Sequence, residues 1–298
     1  MTSVQQAPAL RPLGVGDVVD RVITLYRARP LLFLTLAAIP YLLLALSVGG
    51  LTAAFGGAFV TFIQSISALD ATPTIDPGLL GGLLLFVLVV VIVSIVLFAV
   101  QSASLVHAVA ARYLGRDTTT AASLRAGLAA SVRLIGAAII VFLAIFVLPF
   151  TVLVAAALAQ NTIVLAVASI VAVVLFFYML ASWMVVPVVA TVEGTGPVRS
   201  LLRAWTLANG SRWRILGLML LLIVLQLVIS TLFSFVFLTA LAANDLVRTI
   251  VQQGVNLLAS ILWAPVQWGT FTVLYYDLRV RREAYDLTLA AEALPREA

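Results

Sequence analysis

Six stretches of this chain are apolar over about 20 residues or more, and that feature constrains everything else the chain can fold into. They run approximately from Leu31 to Phe55, Leu79 to Ala108, Leu134 to Leu158, Ile163 to Ala190, Ile215 to Leu241 and Ile250 to Tyr276, and none contains an Asp, Glu or Arg except near its ends. A hydrocarbon core about 30 Å thick is crossed by about 20 helical residues, because backbone polar groups in lipid must be satisfied within the segment. Runs such as Leu83 to Val100 do not alternate, so they do not read as barrel strands. With 63% hydrophobic and 10% charged residues, the chain lacks the charge to cover a water-facing surface, which needs about a quarter of all residues. A soluble globule, a disordered chain and a nucleic-acid-binding domain are excluded. Cys is absent, which removes a disulfide framework, a thiolate nucleophile and Cys metal sites. The expected fold is all-α: a polytopic integral membrane protein with six transmembrane helices as three hairpins, plus cytoplasmic interfacial amphipathic helices.

Orientation follows from the basic residues, all 17 of which are arginine. Basic residues in short flanking loops are retained in the cytoplasm. Sixteen arginines fall in the N-terminal segment, the loops after the second and fourth spans, and the tail; Arg248 alone lies on the opposite side. Nine of the 12 acids share the inner side, leaving it at +7 and the outer side at −2, which together give the net +5. Both termini are expected in the cytoplasm, and the first span reads as an uncleaved helix because its apolar core is too long for a signal peptide. The chain divides into an N-terminal amphipathic segment (1–30), a six-helix membrane domain (31–276) and a C-terminal tail (277–298).

Each hairpin is preceded by an amphipathic stretch. Val15, Val19, Val22, Ile23 and Tyr26 share one helical face ahead of Pro30. Leu124, Leu128 and Val132 oppose Arg125 and Arg133, and Val198, Leu201, Leu202, Trp205 and Ala208 oppose Arg199 and Arg203. The second and third copies share Arg-Ala at Arg125 and Arg203, then R, two aliphatics and G at Arg133 to Gly136 and Arg214 to Gly217. Such helices are expected to turn apolar residues toward acyl chains and arginines toward headgroups. The outer side is sparse: the connection from Gly56 to Gly78, with Phe55, Phe59, Phe62, Ile63 and Ile66 at helical spacing, alone has length enough to lie flat on the outer leaflet.

Ion-coupled transporters display ionisable groups or broken helices at mid-membrane. Here the intramembrane polar candidates are Gln226 and Gln267, with Asn256 and Gln101 nearer the span ends; the plainer role for each is an interhelical hydrogen bond. Pro40, Pro149 and Pro265 interrupt spans and either line a cavity or sit in tolerated kinks. His107 is the only histidine and reads as a packing or hydrogen-bonding residue, so no metal site and no cofactor is expected. No nucleophile elbow, Walker loop or dinucleotide fingerprint is present. The candidates for anionic headgroups or a partner are Arg203, Trp205, Arg212, Trp213, Arg214, Asp277, Arg279 and Glu283.

The segment TVLYYDLRVRREAYDL (Thr272 to Leu287), with LGVGDVVDR at Leu13 to Arg21, TLYR at Thr24 to Arg27 and SLLRAWTLANGSRWRILG at Ser200 to Gly217, resembles the glycerophosphoryl diester phosphodiesterase membrane-domain family. The resemblance implies a six-helix bacterial inner-membrane protein. The family takes its name from members fused to a catalytic barrel that uses two histidines and a metal-binding acidic set, so with one histidine no esterase is expected here. In the signature from Tyr275 to Glu283, the tyrosines are expected to anchor the helix end, while Asp277 and Glu283 pair Arg279, Arg281 or Arg282 as a structural cap or a docking surface.

The reading is a non-enzymatic membrane protein with an accessory or scaffold role in lipid or envelope processes, contacting anionic lipids on its cytoplasmic face and a membrane or cytoplasmic protein partner, without nucleic acid. The alternative is a small transporter, channel or lipid-translocating protein using Gln226 and Gln267. The cysteine-free chain makes the topology testable: Arg125→Cys and Leu202→Cys should resist an impermeant maleimide in intact cells and react after permeabilisation. Labelling in intact cells would invert the topology.

Overall fold

The computed structural model describes residues 12–67, 77–238 and 245–293, and among them the chain is helical with no strand. The helices are α1 (Val15–Ala28), α2 (Pro30–Ser67), α3 (Pro77–Tyr113), α4 (Thr120–Leu158), α5 (Thr162–Trp183), α6 (Val186–Val192), α7 (Pro197–Ala208), α8 (Arg212–Leu238), α9 (Asp245–Glu283) and α10 (Tyr285–Ala293). Among the described residues six segments are long and apolar enough to cross a membrane, the fourth being α5 with α6. They pair as α2 with α3, α4 with α5, and α8 with α9.

The least apolar span occupies the centre. The most apolar window of α9 has a mean hydropathy of 1.4 against 2.4–3.6 for the other five, and 61% of it is buried against 6–22% for them. A helix enclosed by protein has no lipid to satisfy and can carry polar groups on several sides. α1, α2, α3, α7 and α8 all pack on α9. Burial is concentrated at the arginine-rich end: Phe33, Leu36 and Ala37 of α2, Ser102 to Val106 of α3, Ile215 and Leu218 of α8, and Thr270 to Leu278 of α9 are all enclosed. Toward the other end, Leu84, Leu85 and Leu88 of α3 and Leu227, Val228 and Leu232 of α8 stand exposed. Lipid covers such a surface without loss, so apolarity alone does not close a bundle in a membrane; close packing of small residues does. α3 and α4 meet in this way through Ala99, Ala103 and Ser104 against Gly127, Ala130 and Ser131.

Several boundaries differ from the sequence reading. Gly56 to Ser67 continue α2, with no proline to break it, instead of forming a separate surface helix; the rest of that connection lies outside the described residues. The second amphipathic stretch is not a separate helix either: α4 runs unbroken through Arg133 for 39 residues, with Thr119 capping it by accepting from Ala122 N at 3.2 Å. The fourth span is divided at Met184 and Val185, just before Pro187. α4 and α9 pass through Pro149 and Pro265 without a helical break, and Pro265 borders a void of only about 10 Å³. The helix of the sixth span continues past Tyr276 to Glu283.

The amphipathic faces also point differently. Val18 and Val22 of α1 are buried against protein, Val22 filling the space left by Gly269 of α9, where a Cβ would come within 2.6 Å of it. α7 buries Ser200, Leu201, Ala204 and Leu207 and turns Val198 and Leu202 outward. In α4 the buried strip is Ser123, Gly127, Ala130 and Ser131, whereas Leu128 and Val132 face out as expected for acyl contact.

Gly127 marks a close approach between α3 and α4: a Cβ there would lie 2.7 Å from the Val100 carbonyl oxygen and 2.9 Å from the Ser104 amide nitrogen. Backbone cannot yield as a side-chain tip does. Gly127→Ala should therefore destabilise the fold by about 1–3 kcal/mol, measured as a lowered unfolding midpoint in detergent. Gly217→Ala, inside α8 with open space around it, should leave the midpoint unlowered and raise stability by up to about 1 kcal/mol.

Candidate functional site

Seven charged residues of the arginine-rich end form two linked clasps around α9. In the first, the Asp277 side chain is fully buried and accepts from the Leu13 amide at 2.7 Å, from Arg281 Nε at 3.1 Å and from Arg214 Nη1. Both arginines also donate to the Leu13 carbonyl, Arg281 at 2.8 Å. One carboxylate and the backbone of one residue, Leu13, thus hold the segment before α1, the start of α8 and the end of α9 together. In the second clasp, Arg203 donates from Nε to Glu193 at 3.0 Å and from Nη2 to Glu283 at 2.9 Å. Arg279 Nε reaches Glu283 at 3.0 Å, and the Tyr275 hydroxyl donates to Glu193 at 2.7 Å. The Glu283 carboxylate holds the Arg203 guanidinium even further toward its charged form than is usual.

Aromatic rings close the space between the clasps. Tyr276 stacks between Tyr113 at 5.3 Å and Tyr285 at 6.0 Å, and the Arg279 guanidinium lies 3.8 Å above the Tyr285 ring. Tyr275 and Tyr276 are therefore not lipid anchors: both are fully buried and held by protein.

Arg212 is placed differently. Its Nε donates to Ser182 Oγ at 2.8 Å and its Nη1 to Asn209 Oδ1 at 3.1 Å, while the guanidinium carbon lies 4.4 Å from the Tyr178 ring centre and 5.0 Å from that of Trp205. No carboxylate reaches it among the described residues. Arg212 and Trp213, the latter 87% exposed, line a groove of about 460 Å³ between α5 and α8 with Val173, Val174, Phe177 and Leu216. Of the proposed headgroup cluster, Arg212, Trp205 and Trp213 thus share this lateral face, whereas Arg203 and Arg214 are bound to carboxylates within the bundle.

Gln226 and Gln267 also come together. They line one lateral cavity of about 300 Å³ whose remaining walls are apolar, among them Met184, Leu222, Trp263 and Phe271. Neither amide forms the expected interhelical hydrogen bond among the described residues, and the Trp263 indole N–H in the same wall is buried without an acceptor. Gln101, by contrast, donates to the Ala37 carbonyl at 3.0 Å across α3 and α2. His107 Nδ1 lies 3.3 Å from Ser123 Oγ, a packing contact between α3 and α4.

Sequence reasoning found the pairs at i,i+4, Arg281 with Asp277 and Arg279 with Glu283. It missed Glu193 and the pairing of Asp277 with Arg214. A signal existed for the first: Glu193 is the one acid between Asp117 and Asp245, at the end of an apolar run. A missed repeat is Thr118 with Ser123 at 3.1 Å and Thr195 with Ser200 at 2.8 Å, which open α4 and α7 in the same way.

Asp277→Asn leaves two guanidiniums facing a neutral amide in a dry site. The expected cost is about 3–5 kcal/mol, read as a fall in the unfolding midpoint in detergent. Arg281→Gln, at a side chain 37% exposed, should cost less than about 1 kcal/mol. The site stands on its own geometry, because the chain matches no family model, no curated protein and no solved structure.

Proposed function

We infer that this chain is a non-enzymatic inner-membrane protein with an accessory or scaffold role in lipid or cell-envelope processes. The observation that carries this reading is the saturation of Asp277, Glu193 and Glu283 by arginine, tyrosine and backbone donors. A general acid or base needs a carboxylate that can exchange a proton with substrate, and these three are held as ion-pair acceptors that shape the fold. The face they make rigid carries the surplus of arginine, which suits a platform for anionic lipid on the cytoplasmic side. The residues from Tyr275 to Glu283 that carry the resemblance to the glycerophosphoryl diester phosphodiesterase membrane domain are those of the clasps, in keeping with a structural role.

A second reading, lipid translocation or transport, is favoured by one observation: Gln226, Gln267 and the unpartnered Trp263 N–H share a cavity. Its apolar walls offer no polar route for a charged solute. Proteoliposomes carrying a fluorescent phospholipid separate the two. Under the accessory reading, transbilayer exchange and glycerophosphodiester hydrolysis both stay at the rates of protein-free vesicles. Exchange that rises with protein and returns to background in the Gln226→Leu/Gln267→Leu double variant would establish translocation instead; hydrolysis by the purified protein would overturn the non-enzymatic assignment.

A further inference from the structure

Every guanidinium in the clasps meets an anion supplied by the fold, whereas Arg212, outside them, is positioned without one among the described residues. Four contacts fix it: Ser182 Oγ and Asn209 Oδ1 take two of its N–H groups, and the rings of Tyr178 and Trp205 flank its plane. Holding a half-buried cation in one geometry is unfavourable unless an anion completes it, because desolvation weakens the charged form and ring quadrupoles compensate only in part. Two further positive features lie at the same turn. Arg212 begins α8, whose first backbone N–H groups lack intrahelical acceptors. Gly210, held at φ +70° and forming part of the groove wall, lies against the Arg282 guanidinium closely enough that a Cβ would collide with it. Arg282 likewise has no carboxylate among the described residues. The cleft between Pro30 and Thr120 offers a contrast, since there Arg112 already pairs with Asp117.

Below Arg212 the groove turns apolar. Val174 is 62% exposed and Phe177 48% exposed, and Val173 and Leu216 complete a track running along α5 and α8 toward the membrane interior. At about 460 Å³ the space falls within the roughly 300–1,000 Å³ of small-molecule clefts. An exposed indole at Trp213 beside it suits the headgroup level of a bilayer. A fixed cation at the border, continued by an apolar track, matches an amphiphile with a phosphate at one end.

We propose that the groove between α5 and α8 binds one anionic phospholipid of the cytoplasmic leaflet, its phosphate on Arg212 at the Gly210 turn and an acyl chain along Val173, Val174, Phe177 and Leu216. This rests on the lipid-linked reading of the protein and names the ligand of that face. A guanidinium with two of its N–H groups already fixed presents its remaining donors to phosphate in a set geometry, which a lysine could not do. The second cation, Arg282, selects for lipids whose net charge is negative over zwitterionic ones.

The test uses the full chain in detergent, titrated with phosphatidylglycerol, phosphatidylcholine or inorganic phosphate, with bound lipid counted by native mass spectrometry. The wild type should hold one phosphatidylglycerol more tightly than the rest, and phosphatidylcholine several-fold more weakly. Arg212→Ala should weaken that one by about tenfold, the factor carried by a lost charge-assisted hydrogen bond. Val174→Trp, which fills the acyl track without touching Arg212, should weaken it similarly; Val228→Trp, on the open face of α8, should not. If Arg212→Ala fails to fold, Arg212→Lys and Val174→Trp carry the test. Wild-type affinity in both the arginine and the Val174→Trp variants, equal affinity for phosphatidylcholine, or displacement by millimolar phosphate would overturn the proposal. Occupancy is read here and flux in the proteoliposomes, so loss of this site and loss of the accessory reading are separate results.

Discussion

The buried Asp277 carboxylate is the constraint on which the rest of the structure depends. An ion removed from water is stable only when its lone pairs are taken up by well-placed donors, and breaking such a set leaves a charge stranded. Asp277 has the Leu13 amide, Arg214 and Arg281, and the surplus positive charge is shared with the Leu13 carbonyl. Those partners lie more than 60 residues apart from one another, so the clasp forms only when the segment before α1, α8 and α9 have all arrived. It is a condition on the whole topology. The neighbouring set of Glu193, Arg203, Glu283 and Arg279 is balanced, two charges against two, and adds α7 and the loop after α6 to the same joint.

This joint accounts for the taper of the bundle. Helices in lipid gain little from burying apolar surface against one another, so packing is tight only where small residues or polar contacts hold it. At the arginine-rich end both are present, the small strips of α3 and α4 and the ionic clasps around α9. Farther along, Leu84, Leu88, Leu227 and Leu232 have neither, and their side chains are exposed. The lateral cavity holding Gln226 and Gln267 is walled by α5, α8 and α9, and Leu227 and Leu232 farther along α8 are exposed.

Span number, helix class and the end of the bundle that gathers charge were readable from composition and periodicity, because bilayer thickness dictates segment length whatever the partners. Local ion pairs were readable for the same reason, being set by helical spacing within α9. The faces of the amphipathic helices were readable only in part. Leu128 and Val132 face out while Ser123 and Gly127 face in, since in a membrane the large aliphatic residue is as well placed against lipid as against protein and the small residue decides the contact. The orientation of α7 was misread for a related reason: Arg203 points inward because Glu193 and Glu283 wait there, from elements ten and 80 residues away. The Glu283 half of that information lies outside any local window of sequence.

A count of arginines along the chain treats them as one class, and the structure divides them into two. Arg203, Arg214, Arg279 and Arg281 face carboxylates across helices and hold the bundle together. Arg212 is ordered just as firmly, yet by neutral groups alone: a hydroxyl, an amide and two aromatic rings. Neutral partners fix geometry and leave the charge uncompensated, so the field of Arg212 is directed at whatever occupies the groove beside it. The inner charge inferred from the sequence is therefore not spread evenly over that face. It is cancelled at the centre, where α9 sits, while at the edge between α5 and α8 Arg212 stands without a carboxylate among the described residues.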